Sequence, residues 1–173
     1  MVLHEKRVDF EVHEVDLSNK SEEFLAVSPT GKVPVVVADG DSLYESNVVN
    51  QYLDEVTGEP KLVPEDPKRR AYARIWMTFA DTDFFPTVFV ASVGRERGFS
   101  EEQISEAFEK LEERLKDRDY LAVEFSLADI AYAGNFVRLR ELEERGEVSL
   151  DEYPNVTAWI RRLESREGYK ASV

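Results

Sequence analysis

The chain has 173 residues, which is enough for one compact domain or two small ones. Its 36 acidic and 22 basic residues give a net charge of -14, which repels nucleic acid and anionic membranes and argues against both as partners. The sequence contains no cysteine, which excludes disulfides, thiolate metal sites and cysteine nucleophiles. No apolar run approaches the roughly 18 residues that span a bilayer, so we expect a cytoplasmic protein.

The first two predicted elements are a strand and a short helix. Apolar and charged residues alternate over residues 8–12, which is the pattern of a half-buried β-strand. Ser21, followed by two glutamates, predicts the N-cap of a helix that ends at Pro29. That helix is expected to pack Phe24 and Leu25 against the protein.

A hairpin and a helix follow. The β-branched run at residues 33–37 predicts a strand, and Asp39 and Gly40 readily supply the two positive φ angles of a tight turn. Residues 43–44 form the return strand, and apolar residues recur at helical spacing over residues 45–55.

A domain boundary is predicted at residues 57–66, because the stretch from Thr57 to Pro67 has three prolines and mixed charges and little to bury. The first domain would then be residues 1–56. The second would be residues 67–173, beginning with Asp66 as N-cap and Pro67 at the first helical position.

The second domain is predicted to be an all-α bundle. Its first long helix is expected to bury Ile75, Trp76 and Phe79, and Pro86 should kink or end it. The second helix is expected to begin with a capping box formed by Ser100 and Gln103.

The third and fourth helices are predicted to begin at Ser126 and after Pro154. The apolar residues that the second and fourth helices should bury are Ile104, Phe108, Leu111, Leu115, Val156, Trp159, Ile160 and Leu163.

Two linked motifs resemble the glutathione-site half of a glutathione S-transferase. They are Ser-Pro-Thr-Gly-Lys-Val-Pro at residues 28–34 and, after the hairpin, Leu-Tyr-Glu-Ser-Asn-Val-Val at residues 43–49. The resemblance implies a cis peptide bond between Val33 and Pro34. It also implies that the backbone of Val33 pairs with the cysteinyl part of glutathione.

The same resemblance assigns three further glutathione contacts. Ser46 would donate to the γ-glutamyl carboxylate and Glu45 would accept from the γ-glutamyl ammonium. Ser46 could equally serve as a helix cap. Lys32 could attract the glycyl carboxylate, although an exposed lysine is more often only solvated.

In the second half, Phe-Ser-Leu-Ala-Asp-Ile at residues 125–130 resembles the family's internal capping box. Ser126 would bond the amide of Asp129, Asp129 would reach back, and Phe125 would pack on Ile130. This motif is structural. The implied fold is a thioredoxin-like N-terminal domain, shortened at its start, followed by an all-helical domain.

The thiol-activating residue is not assigned. In the family, a Tyr, Ser or Cys between the first strand and the first helix has this role, and residues 2–6 resemble the last turn of that helix. Ser18 and Ser28 are the nearest hydroxyls, and neither lies at the matching position. Without the first strand, the Phe10 strand would pair directly with the Val35 strand, or a second chain would cover the edge.

The resemblance implies transfer of glutathione to an electrophilic small molecule, with no metal, by a homodimer, although activity should be weak without the activating residue. Alternatives are a non-catalytic protein resembling the stringent starvation proteins or elongation factor 1 gamma, and an engineered or ancestral minimal scaffold. His4 and His13 have no metal-ligand spacing and are expected at the surface. The aromatic residues expected in the core rather than on a substrate wall are Trp76, Phe84, Phe85 and Phe89.

Overall fold

The computed structural model describes residues 1–93 and 101–173. The elements of the N-terminal half are α1 (Val2–Lys6), α2 (Glu22–Val27), β1 (Val35–Ala38), β2 (Asp41–Tyr44) and α3 (Ser46–Val56). The second half is helical and contains α4 (Pro67–Phe79), a π-turn (Ala80–Phe84), α5 (Phe85–Val93), α6 (Glu101–Leu115), α7 (Leu127–Ala133), α8 (Phe136–Glu144), α9 (Pro154–Glu164) and α10 (Glu167–Lys170).

The predicted hairpin is confirmed. Strands β1 and β2 pair antiparallel, with Val35 opposite Tyr44 and Ala38 opposite Asp41. Asp39 and Gly40 form the turn between them with φ angles of 52° and 91°. Both angles are positive, as a two-residue hairpin turn requires.

The strand predicted at residues 8–12 is wrong. These residues form no strand, and the sheet of the described residues contains only β1 and β2, so the expected pairing with the Val35 strand is wrong as well. Phe10 is exposed, with its ring edge-on to that of His4 at 5.1 Å. Alternation of apolar residues indicates a face that could be buried, but a strand also needs a neighbour for its backbone donors and acceptors.

Helix α2 begins and ends where the sequence predicts. The Ser21 hydroxyl accepts a hydrogen bond from the Phe24 amide at 3.1 Å, and the helix stops at Val27, two residues before Pro29. Phe24 is buried, but Leu25 is exposed, so only half of the predicted packing is confirmed.

The segment at residues 57–66 is held by a buried ion pair. The Lys6 ammonium donates to Asp54 Oδ1 at 2.8 Å and to the carbonyls of Gly58 and Pro60 at 2.6 and 2.8 Å. Asp54 also accepts from the Leu62 amide at 2.8 Å. Leu62 is buried, whereas residues 58–61 of this segment are exposed.

Pro86 was expected to kink or end the first long helix, and the helix does not end there. The chain stays helical from Pro67 to Val93, and the π-turn at Ala80–Phe84 lies immediately before the proline. A π-turn adds one residue to the helical repeat, and proline lacks the N–H that a regular turn would use. This helix buries Met77 and Phe84, whereas Ile75, predicted to be buried, is exposed and Trp76 and Phe79 are half-buried.

The apolar faces predicted for α6 and α9 are confirmed, because all eight residues are buried. The Trp159 ring lies edge-on to that of Tyr132 at 5.3 Å, and the Tyr132 ring meets that of Phe84 at 4.9 Å. The predicted capping box at the start of α6 involves Ser100, which lies outside the described residues.

The capping box of α7 is confirmed, and its aspartate has a wider role. Asp129 Oδ2 accepts from the Ser126 amide at 3.0 Å, and the Ser126 hydroxyl accepts from the first turn of the helix. Asp129 Oδ1 also accepts from the Leu121 amide at 3.0 Å and from Trp159 Nε1 at 2.9 Å. Burial raises the pKa of Asp129 to about 6, although the hydrogen bonds from these donors act to lower the pKa. Phe125 and Ile130 belong to one apolar cluster, as the motif predicts.

Candidate functional site

The loop before β1 presents its backbone at a cis peptide bond. The bond between Val33 and Pro34 is cis, as predicted. The buried Ser28 hydroxyl donates to the Lys32 carbonyl at 2.9 Å and so fixes the loop from inside. Gly31 turns the chain with a φ angle of 63°, a conformation that glycine adopts without steric strain. Ser28 therefore has a structural role in this loop.

The N-terminus of α3 faces the same side of the molecule. Glu45 precedes the helix with a φ angle of 67°, and its side chain forms no cap hydrogen bond. Its carbonyl accepts from the amides of Val48 and Val49 at 3.0 and 2.9 Å. Ser46 is the first helical residue rather than the N-cap, and among the described residues its exposed hydroxyl has no hydrogen-bond partner. The hydroxyl is thus available to a ligand at the positive end of the helix dipole.

The structure brings the five predicted ligand residues onto one cleft of about 930 Å³. They are Lys32, Val33, Pro34, Glu45 and Ser46. The facing wall belongs to the helical half, where Asp81, Phe85 and Pro86 line the cleft beside the α7–α8 junction. The cis peptide and the start of α3 therefore share one groove between the two halves of the chain. That they bind glutathione there stays a prediction.

Sequence reasoning missed Asp81 as a residue of the cleft. Asp81 lies on the π-turn and accepts a hydrogen bond at 2.8 Å from Nδ2 of the buried Asn47, which also donates to the Met77 carbonyl at 3.1 Å. Burial raises the pKa of Asp81, the Asn47 hydrogen bond opposes this, and the nearby charge of Glu45 raises it further. Asn47 directly follows Ser46 in the sequence, but no sequence pattern indicated that Asp81 approaches it.

Two of the aromatic residues expected in the core are exposed instead. Phe84 is buried as predicted, but Phe85 and Phe89 are 43% and 37% exposed, and their rings stack at 5.9 Å with an interplanar angle of 15°. The Arg138 guanidinium lies over the Phe89 ring at 5.9 Å. Phe85 lines the cleft, and Val137 lines it from α8. The prediction that both phenylalanines are core residues is therefore wrong, and they form an apolar ledge at the edge of the cleft.

The histidines are not part of the cleft. His13 is exposed, and His4 is half-buried beside Phe10. In the part of the chain that the structure describes, no cluster of histidine, aspartate and glutamate side chains could hold a metal ion. Over the same residues, no helix is both long and apolar enough to cross a lipid bilayer.

Comparison with known proteins identifies the family. The sequence profile described as the glutathione S-transferase N-terminal domain matches residues 1–56, and the corresponding C-terminal domain profile matches residues 71–162. The chain is 34% identical to Glutathione S-transferase U26 of Arabidopsis thaliana over 96% of this chain and 79% of that protein. It is also 34% identical to Glutathione S-transferase U28 of the same plant, over 100% of this chain and 81% of that protein. The chain belongs to the glutathione S-transferase family.

Solved structures place the glutathione S-transferase fold over nearly the whole chain. A glutathione S-transferase from Methylobacillus flagellatus with GSH bound is 28% identical, with a TM-score of 0.82 over 99% of this chain and 90% of that one. Glutathione transferase Omega 3C from Trametes versicolor is 26% identical, with a TM-score of 0.82 over 97% and 79% of the two chains. The chain thus combines a small N-terminal sheet of two strands with a helical C-terminal domain.

Proposed function

We propose that this member of the glutathione S-transferase family binds glutathione in the cleft and transfers the whole tripeptide, as its thiolate, to an electrophilic small molecule, so that a bond forms between the glutathione sulfur and the electrophile. The observation that carries the proposal is the meeting of the cis Val33–Pro34 bond and the N-terminus of α3 on one groove. Support also comes from the family, whose bacterial member from Methylobacillus flagellatus was solved with GSH bound.

The cleft offers a complementary group for each part of the tripeptide. The Val33 backbone would pair with the cysteinyl unit, because a peptide binds most readily to rigid backbone donors and acceptors. The Ser46 hydroxyl would donate to the γ-glutamyl carboxylate at the start of α3, and Glu45 would accept from the ammonium. Lys32 would attract the glycyl carboxylate. The residue that would activate the thiol remains unassigned.

The electrophile would lie against the helical half. Phe85 and Val137 line the cleft there, and both expose apolar surface. Exposed aromatic and aliphatic side chains next to a polar groove favour a hydrophobic acceptor. We therefore propose that the electrophile packs against the exposed rings of Phe85 and Phe89.

Conjugation of glutathione to a chlorodinitrobenzene tests the proposal. Measurable turnover that falls about tenfold in Ser46→Ala, through loss of a hydrogen bond to a charged group, would support it. Ser42→Ala on β2 is the matched control, because Ser42 does not line the cleft, and it should keep wild-type activity. Retention on immobilised glutathione without turnover would favour a non-catalytic glutathione-binding protein instead. Failure to bind glutathione at all would overturn both.

Three further assignments accompany the proposal. Residues 1–56 would form the glutathione-site domain, 57–66 the linker and 67–173 the helical domain.

A homodimer would form through the N-terminal half and the first long helix, where Val48, Tyr72 and Ile75 expose apolar surface. Sedimentation at several concentrations measures the oligomeric state. A cytoplasmic location also stays a prediction.

A further inference from the structure

Asn135 is a buried asparagine at the junction of α7 and α8 whose side chain the fold does not use. It lines the cleft and is 4% exposed. Its backbone is paired, because the amide donates to the Tyr132 carbonyl and the carbonyl accepts from the Leu139 amide, both at 2.9 Å. In the part of the chain that the structure describes, neither end of its side-chain amide has a hydrogen-bond partner, and Oδ1 is buried. A buried unpaired amide is destabilising, so its presence calls for a reason other than stability.

Asn135 occupies the N-cap position of α8 but does not cap the helix. Asparagine is favoured at this position because its side-chain oxygen can accept from an amide of the first turn, usually from an extended backbone. Asn135 instead has helical φ and ψ angles of -99° and -6°, and its side chain forms no cap hydrogen bond. Capping therefore does not explain the residue. Its side chain stands at the positive end of a nine-residue helix, on the wall of the cleft.

The surroundings of Asn135 indicate which ligand group its amide suits. The positive end of α8 and the Nδ2 donor both favour an oxygen that carries partial negative charge. A fully anionic group is disfavoured, because the carboxylates of Glu45 and Asp81 border the same cleft. The favoured group is therefore a neutral acceptor, such as a carbonyl oxygen, that becomes negative only as the reaction proceeds.

Asn135 lies beside the surface proposed for the electrophile. Val137, two residues further along α8, lines the cleft together with Phe85 of α5. An α,β-unsaturated ketone placed there is an electrophile of the favoured kind. When the glutathione thiolate attacks its β-carbon, a C–S bond forms and the π electrons of the C=C bond shift toward the carbonyl, whose oxygen becomes an enolate. A proton from water then adds to the α-carbon and balances the proton lost by the thiol, so that no group leaves.

We propose that Asn135 donates through Nδ2 to the carbonyl oxygen of such an electrophile and selects acceptors in which negative charge develops on oxygen. The inference rests on the proposed function, because it places glutathione and the electrophile in the same cleft. The hydrogen bond is strongest in the transition state, when the oxygen carries more charge than in the bound substrate. Loss of the donor should therefore lower kcat more than it raises KM.

Steady-state kinetics of the full chain with glutathione and two electrophiles test the inference. Benzylideneacetone takes up glutathione by addition, whereas cinnamyl chloride, of similar size and shape, has no oxygen and reacts by displacement of chloride. Asn135→Leu removes the donor with little change in side-chain volume. We expect kcat for the ketone to fall at least about tenfold, and turnover of the chloride to stay within about twofold of the wild type. Val137→Ala is the matched comparison, because it removes apolar surface from the same helix and should slow both reactions alike.

Stability measured alongside separates the donor's role from a structural one. Because Oδ1 is unpaired in the wild type, Asn135→Leu should unfold in urea at the same or a higher concentration. Asn135→Asp serves as a second variant if Asn135→Leu does not fold, since it keeps the side-chain size and replaces the donor with an acceptor. It should slow addition to the ketone more than displacement of chloride.

The possible outcomes separate the two proposals. Equal loss with both electrophiles in Asn135→Leu would mean that Asn135 only shapes the cleft, and unchanged turnover of the ketone would mean that its amide is only solvated. Either result overturns the inference and leaves the proposed function standing, as does a wild type that turns over the chloride but not the ketone. If the wild type conjugates neither electrophile nor chlorodinitrobenzene, the proposed transfer and the inference both fail.

Discussion

The two halves of the molecule bury very different amounts of apolar surface. In the helical half, the rings of Phe84, Tyr132 and Trp159 pack edge-to-face inside a core formed by all of its long helices. In the N-terminal half, the buried apolar side chains are few among the described residues: Val2, Phe24, Val49 and Leu53. Yet that half supplies all five predicted glutathione ligands. The proposed binding surface is therefore built on the less densely packed part of the chain.

The N-terminal half is held mainly where it meets the rest of the chain. Helix α1 is tied to the segment after α3 through Lys6, and to the helix α10 region through an ion pair between Glu5 and Arg166. Asn47 of α3 donates to the Met77 carbonyl of α4. Stability in this half should depend on a few polar contacts, whereas stability in the helical half depends on its core.

Removal of the Asp129 carboxylate should be the most damaging change. Asp129→Ala leaves the Leu121 and Ser126 amides and Trp159 Nε1 without their acceptor in the core. We expect a loss of about 3 to 5 kcal/mol, because several buried donors become unpaired at once. Urea unfolding followed by circular dichroism measures it, with Glu113→Ala on the exposed face of α6 as the control. A loss below about 1 kcal/mol would mean that the core tolerates unpaired donors there.

Removal of the Lys6 ammonium should damage the N-terminal half selectively. Lys6→Met leaves Asp54 buried without its cation and frees the carbonyls of Gly58 and Pro60. We expect a local loss of about 3 kcal/mol, typical of a broken buried ion pair. Hydrogen exchange should show faster exchange in α1 and α3 and unchanged protection in α6 and α9.

Lys61→Met is the matched control for this variant. Lys61 donates to the Asp54 and Thr57 carbonyls, but the residue is exposed. Removal of the Lys61 ammonium should change the free energy of protection from hydrogen exchange by less than about 1 kcal/mol. Uniformly faster exchange over the whole chain in Lys6→Met would show instead that the two halves unfold as one unit.

The same contrast explains what the sequence could and could not predict. The faces of α6 and α9, the capping box at Ser126 and the turn at Asp39-Gly40 depend on residues close together in the chain, and all were predicted correctly. Residues 8–12 have a clear local pattern, but a strand forms only with a neighbour, which the pattern does not reveal. Local patterns are therefore sufficient for caps, tight turns and the faces of α6 and α9, and insufficient where an element needs a partner from elsewhere in the chain.

The same difference between local patterns and contacts of distant residues applies to the candidate site. The predicted ligand residues of the N-terminal half were identified from two short motifs, and all five line one cleft. The approach of Asp81 to Asn47 joins residues 34 positions apart, and no periodicity encodes it. The exposure of Phe85 and Phe89 likewise depends on what packs beside α5. Composition alone suggested a core position for both rings, because aromatic residues are usually well buried.

The pH dependence of stability should report the burial of Asp129. Its pKa is raised to about 6 in the folded chain, so the folded state binds the proton more tightly than the unfolded state. The stability from this difference is fully present below the unfolded pKa and is lost as the pH rises through about 6. Relative to Asp129→Asn, the wild type should gain about 1.5 kcal/mol between roughly pH 8 and pH 5. Urea unfolding at both pH values measures the difference, and a constant difference would place the pKa of Asp129 near its ordinary value.

The smallest expected effect tests the junction between α1 and α10. A Cβ at Gly168 would lie 2.5 Å from Glu5 Oε1, so Gly168→Ala must displace the carboxylate that Arg166 binds at 2.9 and 2.8 Å. We expect a loss of about 1 kcal/mol in the wild type, because the paired geometry is disturbed. In a Glu5→Ala background the carboxylate that would meet the new Cβ is absent. Gly168→Ala should then be neutral or stabilise the protein by about 0.5 kcal/mol, since alanine has a higher helix propensity than glycine. A double-mutant cycle by urea unfolding measures this change of sign. An equal loss in both backgrounds would locate the strain in the α10 backbone rather than at its contact with the N-terminal half.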